Sequence, residues 1–399
     1  MSANKQGVVF LLSNVKRRPF GNTGLKVSEV SFGAMNLRML DTIEEAGSIL
    51  DYVLDQGINL IDTARAYNGQ NGTGQQVESE ILVGEAIAKR SDLDEPIVVV
   101  TKGHGYTLDA LEEELSTSRE KLGITNKGSL KMGENSIKLV YFFHGINEER
   151  WKTISTSGVL DRIREMRDEG WIDYIGFSSH YGDGPAIKKA VDTGIFEVVE
   201  LPYNVFSRGL SNDGDEDILR YAYEKGLAII NMKAFNGNGM VPIHALLEDF
   251  LTIDHAAMLR FCLANPFIAT VDAGARHISE FADDIAAAAR GPLPDSEVRE
   301  LKREADKISG DIKGICRECM HCQEKFSCPS DVDFPQILSL YGRASVAKKL
   351  GHDISGLQES YSELTINALD CTACGECKPW CEYKLDIPVM LQEAHTMLT

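Results

Sequence analysis

At 399 residues the chain exceeds the size at which one hydrophobic core usually stops growing, so a large domain with a smaller companion is expected. Hydrophobic residues make up 43% and charged residues 25%, as in ordinary soluble globular proteins, and no stretch approaches the ~20 apolar residues of a membrane helix. A formal charge of −19 works against nucleic acid or an anionic membrane as partner, because both call for a basic surface.

The short apolar run Val8 to Leu12 lacks the length of a signal-peptide core, so a cytoplasmic location is expected. From Val27 to about Ala289, short apolar runs alternate with amphipathic helical patterns. The runs are Val27–Ala34, Asn59–Ala64, Ile97–Lys102, Ile137–His144, Trp171–Ser179, Val198–Asn204, Leu227–Ala234 and Phe267–Gly274. Helical segments such as Thr42–Gln56, Ser79–Lys89, Leu108–Leu122 and Gly158–Asp168 fall between them. Continuous apolar strands divided by helices predict a parallel sheet covered on both faces. Eight units in ~250 residues fit a (β/α)₈ barrel. A doubly wound sheet shares that alternation, but no GxGxxG follows the first strand. Ile124–Ser136 reads as an inserted loop and Asn236–Asp249 as an excursion after the seventh strand. Past Pro292–Pro294 a charged helix, Asp295–Ile308, leads into a cysteine region. Between its two cysteine runs lies a largely helical stretch, Phe334–Leu369, interrupted at Gly351. The expected division is therefore a barrel over 1–292 and a second domain over 293–399.

Barrel chemistry sits at the carboxyl ends of the strands. Those ends carry Asp62, Lys102 and His144, with Tyr67 in the loop after Asp62. Carbonyl reduction needs hydride at carbon and a proton at oxygen. A phenol near its ordinary pKa of ~10 is a weak acid at neutrality, and a neighbouring ammonium lowers that value. Lys102 can supply the charge, Asp62 can hold Lys102, and His144 can donate to the carbonyl oxygen. Tyr67 is then the proton donor in reduction and the base in oxidation.

The segment from Gly57 through Asn59, Asp62, Thr63 and Ala64 to Tyr67 resembles the GxNxxDTAxxY signature of aldo/keto reductases. Phe20–Ser28 resembles the opening of that family. Ser79-Glu80 with Gly84, Thr101-Lys102, and Gly176–His180 follow in the family's order, so the resemblance covers roughly Arg18 to Ala289. It implies a catalytic tetrad of Asp62, Tyr67, Lys102 and His144. It also implies a nicotinamide site at Ser178, Ser179 and Glu200, with Met232 and Lys233 after the seventh strand. Glu200 stands where a glutamine is usual and offers acceptors only. After the eighth strand, Gly274 and Arg276 are the implied cofactor contacts, with His277 a further basic candidate. Glu280 stands where an arginine is common, which leaves NADP(H) and NAD(H) both open.

Nine cysteines are present, and eight follow residue 315. Cys262 sits in an apolar helical pattern and reads as a core thiol. The first run is Cys316, Cys319, Cys322 and Cys328, and the second is Cys371, Cys374, Cys377 and Cys381. Triplets spaced CxxCxxC with a fourth cysteine fit two [4Fe–4S] clusters. Eight thiolates could also hold two zinc ions, although CxxC pairs are the commoner zinc pattern. The helical stretch between the runs makes the module resemble an α-helical ferredoxin. That resemblance implies crossed fourth ligands: Cys328 joins Cys371, Cys374 and Cys377, while Cys381 joins Cys316, Cys319 and Cys322.

The expected protein is an NAD(P)H-dependent aldo/keto reductase acting on a small aldehyde, ketone or alcohol. A nicotinamide passes two electrons and a cluster one, and no flavin site is recognisable to convert between them. The clusters are then structural, or they exchange electrons with the substrate or with a redox protein partner. A nicotinamide-sensing barrel and an electron-transfer docking protein are the alternatives.

Overall fold

In the computed structural model, eight parallel strands close on themselves. They are β1 (Val30–Gly33), β2 (Leu60–Asp62), β3 (Ile97–Gly103), β4 (Asn135–Phe143), β5 (Tyr174–Ser178), β6 (Val198–Pro202), β7 (Ala228–Met232) and β8 (Thr270–Ala273). Each pairs with the next, β8 pairs with β1 through Val271 and Val30, and no edge remains in the ring. This is a closed barrel with helices between its strands, not a doubly wound sheet. The structure describes residues 15–90, 93, 95–180, 184–210, 217–235, 253–313, 315–316, 322, 326–381 and 384–399. The Val8 to Leu12 run and the 236–249 excursion lie outside them.

The chain divides into two compact units. One comprises Met1–Tyr203, Arg208–Ala234 and Leu259–Leu293; the other comprises Asn204–Ser207, Phe235–Met258 and Pro294–Thr399. Among the described residues no helix is long and apolar enough to cross a membrane.

Side-chain alternation positions the site. Leu60, Val98, Val100, Val140, Phe142, Val198 and Ile230 form one buried cluster with Phe20 and Val27. A strand returns to the same face every second residue. Two residues beyond this layer stand Asp62 on β2, Lys102 on β3, His144 after β4, Glu200 on β6 and Met232 on β7. The apolar layer thus supports a polar one at the carboxyl ends.

Local contacts explain several signature residues. Gly57 has φ +73°, a left-handed turn that costs glycine little, and it leads into Asn59. The Asn59 carboxamide accepts from the Ser28 amide (2.8 Å) and donates to the Lys26 carbonyl (2.9 Å). It thereby ties β2 to a hairpin, Arg17–Pro19 with Lys26–Ser28. The apolar run expected over Val27–Ala34 is accordingly two strands, separated at Glu29, whose amide donates to the Lys16 carbonyl. Helix α1 (Ile43–Asp55) starts at a capping box: the Thr42 hydroxyl accepts from the Glu45 amide and the Glu45 carboxylate from the Thr42 amide. It buries Ala46, Ile49, Leu50, Val53 and Leu54, one face at helical spacing. Helix α2 (Ser79–Ala88) begins with Ser79, whose hydroxyl lies 2.7 Å from that of Thr63. Its neighbour Glu80 accepts from the Thr101 hydroxyl at 2.6 Å. The Ser79-Glu80 pair therefore braces β2 and β3 from behind.

Helices α3 (Leu108–Lys121), α4 (Glu148–Thr156), α5 (Val159–Asp168), α6 (Gly184–Asp192), α7 (Ile218–Glu224), α8 (His255–Ala264) and α9 (Ile278–Ala289) continue the alternation. The inserted loop expected over 124–136 contains a short antiparallel hairpin, Lys131–Met132 against Asn135 and Ser136. Its turn includes Gly133 at φ +57°.

In the second unit, α10 (Asp295–Lys313) is followed by α11 (Phe334–Lys349), α12 (Ser355–Ser362) and α13 (Ile387–Leu398). Gly351, at φ +81°, lies just past the end of α11. One core holds Phe334, Ile337, Leu338, Tyr361, Ile387, Leu391 and Leu398 together with buried Cys322 and Cys377.

Candidate active site

The Lys102 ammonium is fully buried at the end of β3 and donates to the Asp62 carboxylate. It also lies 3.4 Å from the Tyr67 hydroxyl, 3.4 Å from the Thr63 carbonyl and 3.5 Å from Glu200 Oε2. Tyr67 is pinned through its backbone: its amide donates to Ala64 and its carbonyl accepts from Ser79. The His144 ring stands edge-on to the Tyr67 ring, centroids 6.3 Å apart. Asp62, Tyr67, Lys102 and His144, separated by up to 82 positions in sequence, therefore meet at one mouth.

The electrostatics differ from the sequence expectation at Tyr67. Lys102 does pull its pKa down, but burial outweighs that pull, and Asp62, Glu200 and Asp272 also push upward. The phenol therefore stays protonated throughout the neutral range. Burial works against the Lys102 charge, yet Asp62 and Glu200 hold its pKa well above the ordinary value. His144 is driven down to about 2 by burial and then by Lys102, His180, His104 and Arg150. It is a neutral imidazole, able to donate one hydrogen bond but not to serve as an imidazolium. Its Nδ1 is buried without a hydrogen-bond partner.

The residues expected at the cofactor divide in their surroundings. The Ser178 hydroxyl accepts from the Gly145 amide (2.9 Å) and so braces the turn after His144. The Ser179 hydroxyl is fully buried and unpartnered. Glu200 is buried and directed at Lys102. Met232 is buried at the end of β7, and Lys233 follows in left-handed backbone (φ +59°), its ammonium 3.4 Å from the His180 carbonyl. Gly274 lies against Asn36 and the Gly33 carbonyl, where a Cβ would come within 3.0 Å. Arg276 is exposed. Glu280 accepts from the amides of both Arg276 (2.6 Å) and His277 (3.2 Å), capping α9.

The sequence reading missed four site residues. Asp272 on β8 lies with Asp62 and Glu200 so that one oxygen of each falls within 4.8 Å of the others. The Ser31 hydroxyl donates to it at 3.0 Å. His104 and His180 each follow an identified residue by two positions, the period that returns a side chain to the same face, and this was the available signal. Arg150, in the first turn of α4, carried no such signal, because its position depends on the preceding loop.

In the second unit Cys316, Cys328, Cys371 and Cys381 pack against the core that contains Cys322 and Cys377. The second run is curled by left-handed backbone at Ala373 (φ +55°) and Gly375 (φ +76°). Burial raises the Cys377 thiol to about 11, and Cys371, Cys374 and Cys328 add to the rise. Cys328 packs against the same core as Cys371. Cys319 lies outside the described residues. Cys262 is fully buried in the barrel unit, near the Tyr203 carbonyl.

A closed parallel barrel with such a quartet at its carboxyl ends defines a class of oxidoreductase, and comparison with known proteins says which. Residues 29–243 match the model of the aldo/keto reductase family. The chain is 26% identical over 313 residues to the uncharacterized oxidoreductase YqkF of Bacillus subtilis, covering 72% of this chain and 96% of that protein. It is 28% identical over 216 residues to the aldo-keto reductase YhdN of the same organism, covering 52% and 59% of the two. Among solved structures, the holo form of aldo-keto reductase AKR11C1 from Bacillus halodurans shares its fold. That match has a TM-score of 0.56 and 24% identity over 73% of this chain and 96% of the other. The chain belongs to the aldo/keto reductase family and is an oxidoreductase.

Proposed function

We propose that the barrel uses NAD(P)H to reduce a small aldehyde or ketone, or the oxidised cofactor to oxidise the matching alcohol. The observation that carries this reading is the position of Lys102, bonded to Asp62 and 3.4 Å from the Tyr67 hydroxyl. A proton donor to a developing alkoxide must be held in place and must have a charge nearby that favours its anion. Tyr67 is that donor, Lys102 that charge, and Asp62 the anchor for Lys102. Neutral His144 donates a hydrogen bond to the carbonyl oxygen. The nicotinamide supplies or accepts the hydride when bound. The unpartnered Ser179 hydroxyl fits a carboxamide, and Glu200 can accept from its NH₂. By family resemblance a 2′-phosphate would lie near Arg276, where the Glu280 carboxylate binds the two amides that precede α9 and would repel it, so NADH is the favoured donor.

Tyr67→Phe keeps the ring and removes the proton. Turnover with a carbonyl panel should fall ~10² to 10⁴-fold while nicotinamide binding survives. Near-normal kcat in the variant would remove Tyr67 from the mechanism. Cofactor binding without any turnover by the native protein would favour a nicotinamide sensor.

We further propose that the eight late cysteines hold two [4Fe–4S] clusters, which supply one-electron transfer or rigidity. The packing of six of them around one core supports this donor set. A domain division near 292 and a cytoplasmic location complete the reading.

A further inference from the structure

We propose that the carbonyl substrate carries an anionic group, a carboxylate or a phosphate, which Arg150 holds beside His104 and His180. This rests on the reductase reading above and names its substrate class. Three neighbouring strands, β3, β4 and β5, are each followed at the mouth by a histidine: His104, His144 and His180. The His104 and His144 rings stack with centroids 4.9 Å apart, and His144 and His180 stand 5.3 Å apart. Arg150 Nη1 donates to the carbonyls of Gly145 (2.8 Å) and His144 (3.3 Å), which fixes the guanidinium beside this row. Gly145, at φ +72°, permits the approach: a Cβ there would come within 2.6 Å of Arg150 Nη1 and 3.2 Å of His180.

No carboxylate among the described residues pairs with Arg150, although its side chain is half-buried. Lys102, the neighbouring imidazoles and then Arg150 act on His144, and Lys233, Lys102 and Arg150 on His180, and they help burial keep both imidazoles neutral. Asp62 and Glu200 pair with Lys102, and Glu114 acts on His104 and accepts its amide at 2.7 Å. Arg150 thus stands beside neutral imidazoles with no carboxylate partner among the described residues, adjoining the residue that meets the carbonyl oxygen. A desolvated guanidinium favours a planar or tetrahedral oxyanion, and bidentate contact adds direction. An anion a few bonds from the carbonyl gives Arg150 its charge partner.

The test compares matched substrates on the anaerobically purified full chain: butanal with succinic semialdehyde, and glyceraldehyde with glyceraldehyde 3-phosphate. The first pair reports a carboxylate and the second a phosphate. The native protein should prefer the charged member of at least one pair by about ten- to a hundredfold in kcat/KM, as expected for a charge-assisted contact. Arg150→Met should abolish the preference, and Arg150→Lys should retain part of it. A native preference for neutral members would overturn the proposal. So would equal losses for both members, which mark Arg150 as a brace, or a loss confined to nicotinamide affinity, which assigns it to the cofactor. If no aldehyde is turned over, the reductase reading fails. Calorimetry with succinate and inorganic phosphate then decides this one: binding that depends on Arg150 sustains it, and no binding overturns it.

Discussion

Lys102 is surrounded by more negative charge than one ammonium can balance. Asp62, Glu200 and Asp272 face it, and burying uncompensated charge is costly, so the excess must be met by bound protons. The proton is easiest to follow at partly buried Asp272, which burial and then Glu200 push up to about 7 against the opposing pull of Lys102. Ionisation of Asp272 adds a negative charge near Tyr67 and makes its phenol a weaker acid. The rate of carbonyl reduction should therefore fall as pH rises through about 7. Tyr67, Lys102 and His144 are moved away from neutrality, while burial raises Asp62 along with Asp272, so Asp272→Asn should shift or weaken that limb; an unchanged profile would acquit Asp272. Stability should show the same group. Its folded pKa lies above the unfolded one, so its contribution is complete below the ordinary carboxylate range and is lost through about 7. Thermal melts across that window should drop less steeply in Asp272→Asn than in the native chain. Asp62, Tyr67, Lys102 and His144 were legible in the sequence because they sit at strand ends inside a recognisable frame. Asp272 was not, because only barrel closure brings β8 back beside β1 and β2.

At the scale of elements, a single helix start bears on cofactor choice. The first turn of α9 has amides without an intrahelical partner, as every helix N-terminus does, and such donors are a ready site for phosphate. Glu280 holds the amides of Arg276 and His277 just before this turn and so sets a carboxylate beside the place a phosphate would take. Glu280→Ala should raise the kcat/KM ratio of NADPH to NADH and lower stability by about 0.5–2 kcal/mol through loss of the cap. A ratio that does not move would place the 2′-phosphate elsewhere. The strands and helices themselves were legible to within a few residues, because apolar runs and helical periodicity are local signals. The break at Glu29 was not. It arises where the chain leaves the hairpin and enters the barrel, a change of partner that leaves hydrophobicity continuous.

At the scale of the molecule, the cysteine unit makes the reading testable by composition. Protein prepared without oxygen should contain about eight irons and eight acid-labile sulfides per chain, the content of two four-iron clusters. Stoichiometric zinc without sulfide would refute the clusters. Cys328→Ser should disturb the cluster of Cys371, Cys374 and Cys377 and leave the other comparatively intact, as spectroscopy of the reduced clusters would report. Disturbance of only the first cluster would refute the crossing.

The sequence alone determined that this chain alternates strand and helix, that its candidate site residues fall at strand ends, and that its late cysteines fall in two closely spaced runs. Each of those properties is written in residue type and spacing. Tertiary structure decided which groups share a field. Closing the barrel set three carboxylates against one lysine, and packing left the Tyr67 phenol fully protonated where a lone Lys102 would have acidified it. Folding of the loops after β3, β4 and β5 gathered three imidazoles around one guanidinium. Spacing along a chain fixes order and period, but the energy of a buried charge depends on everything packed around it.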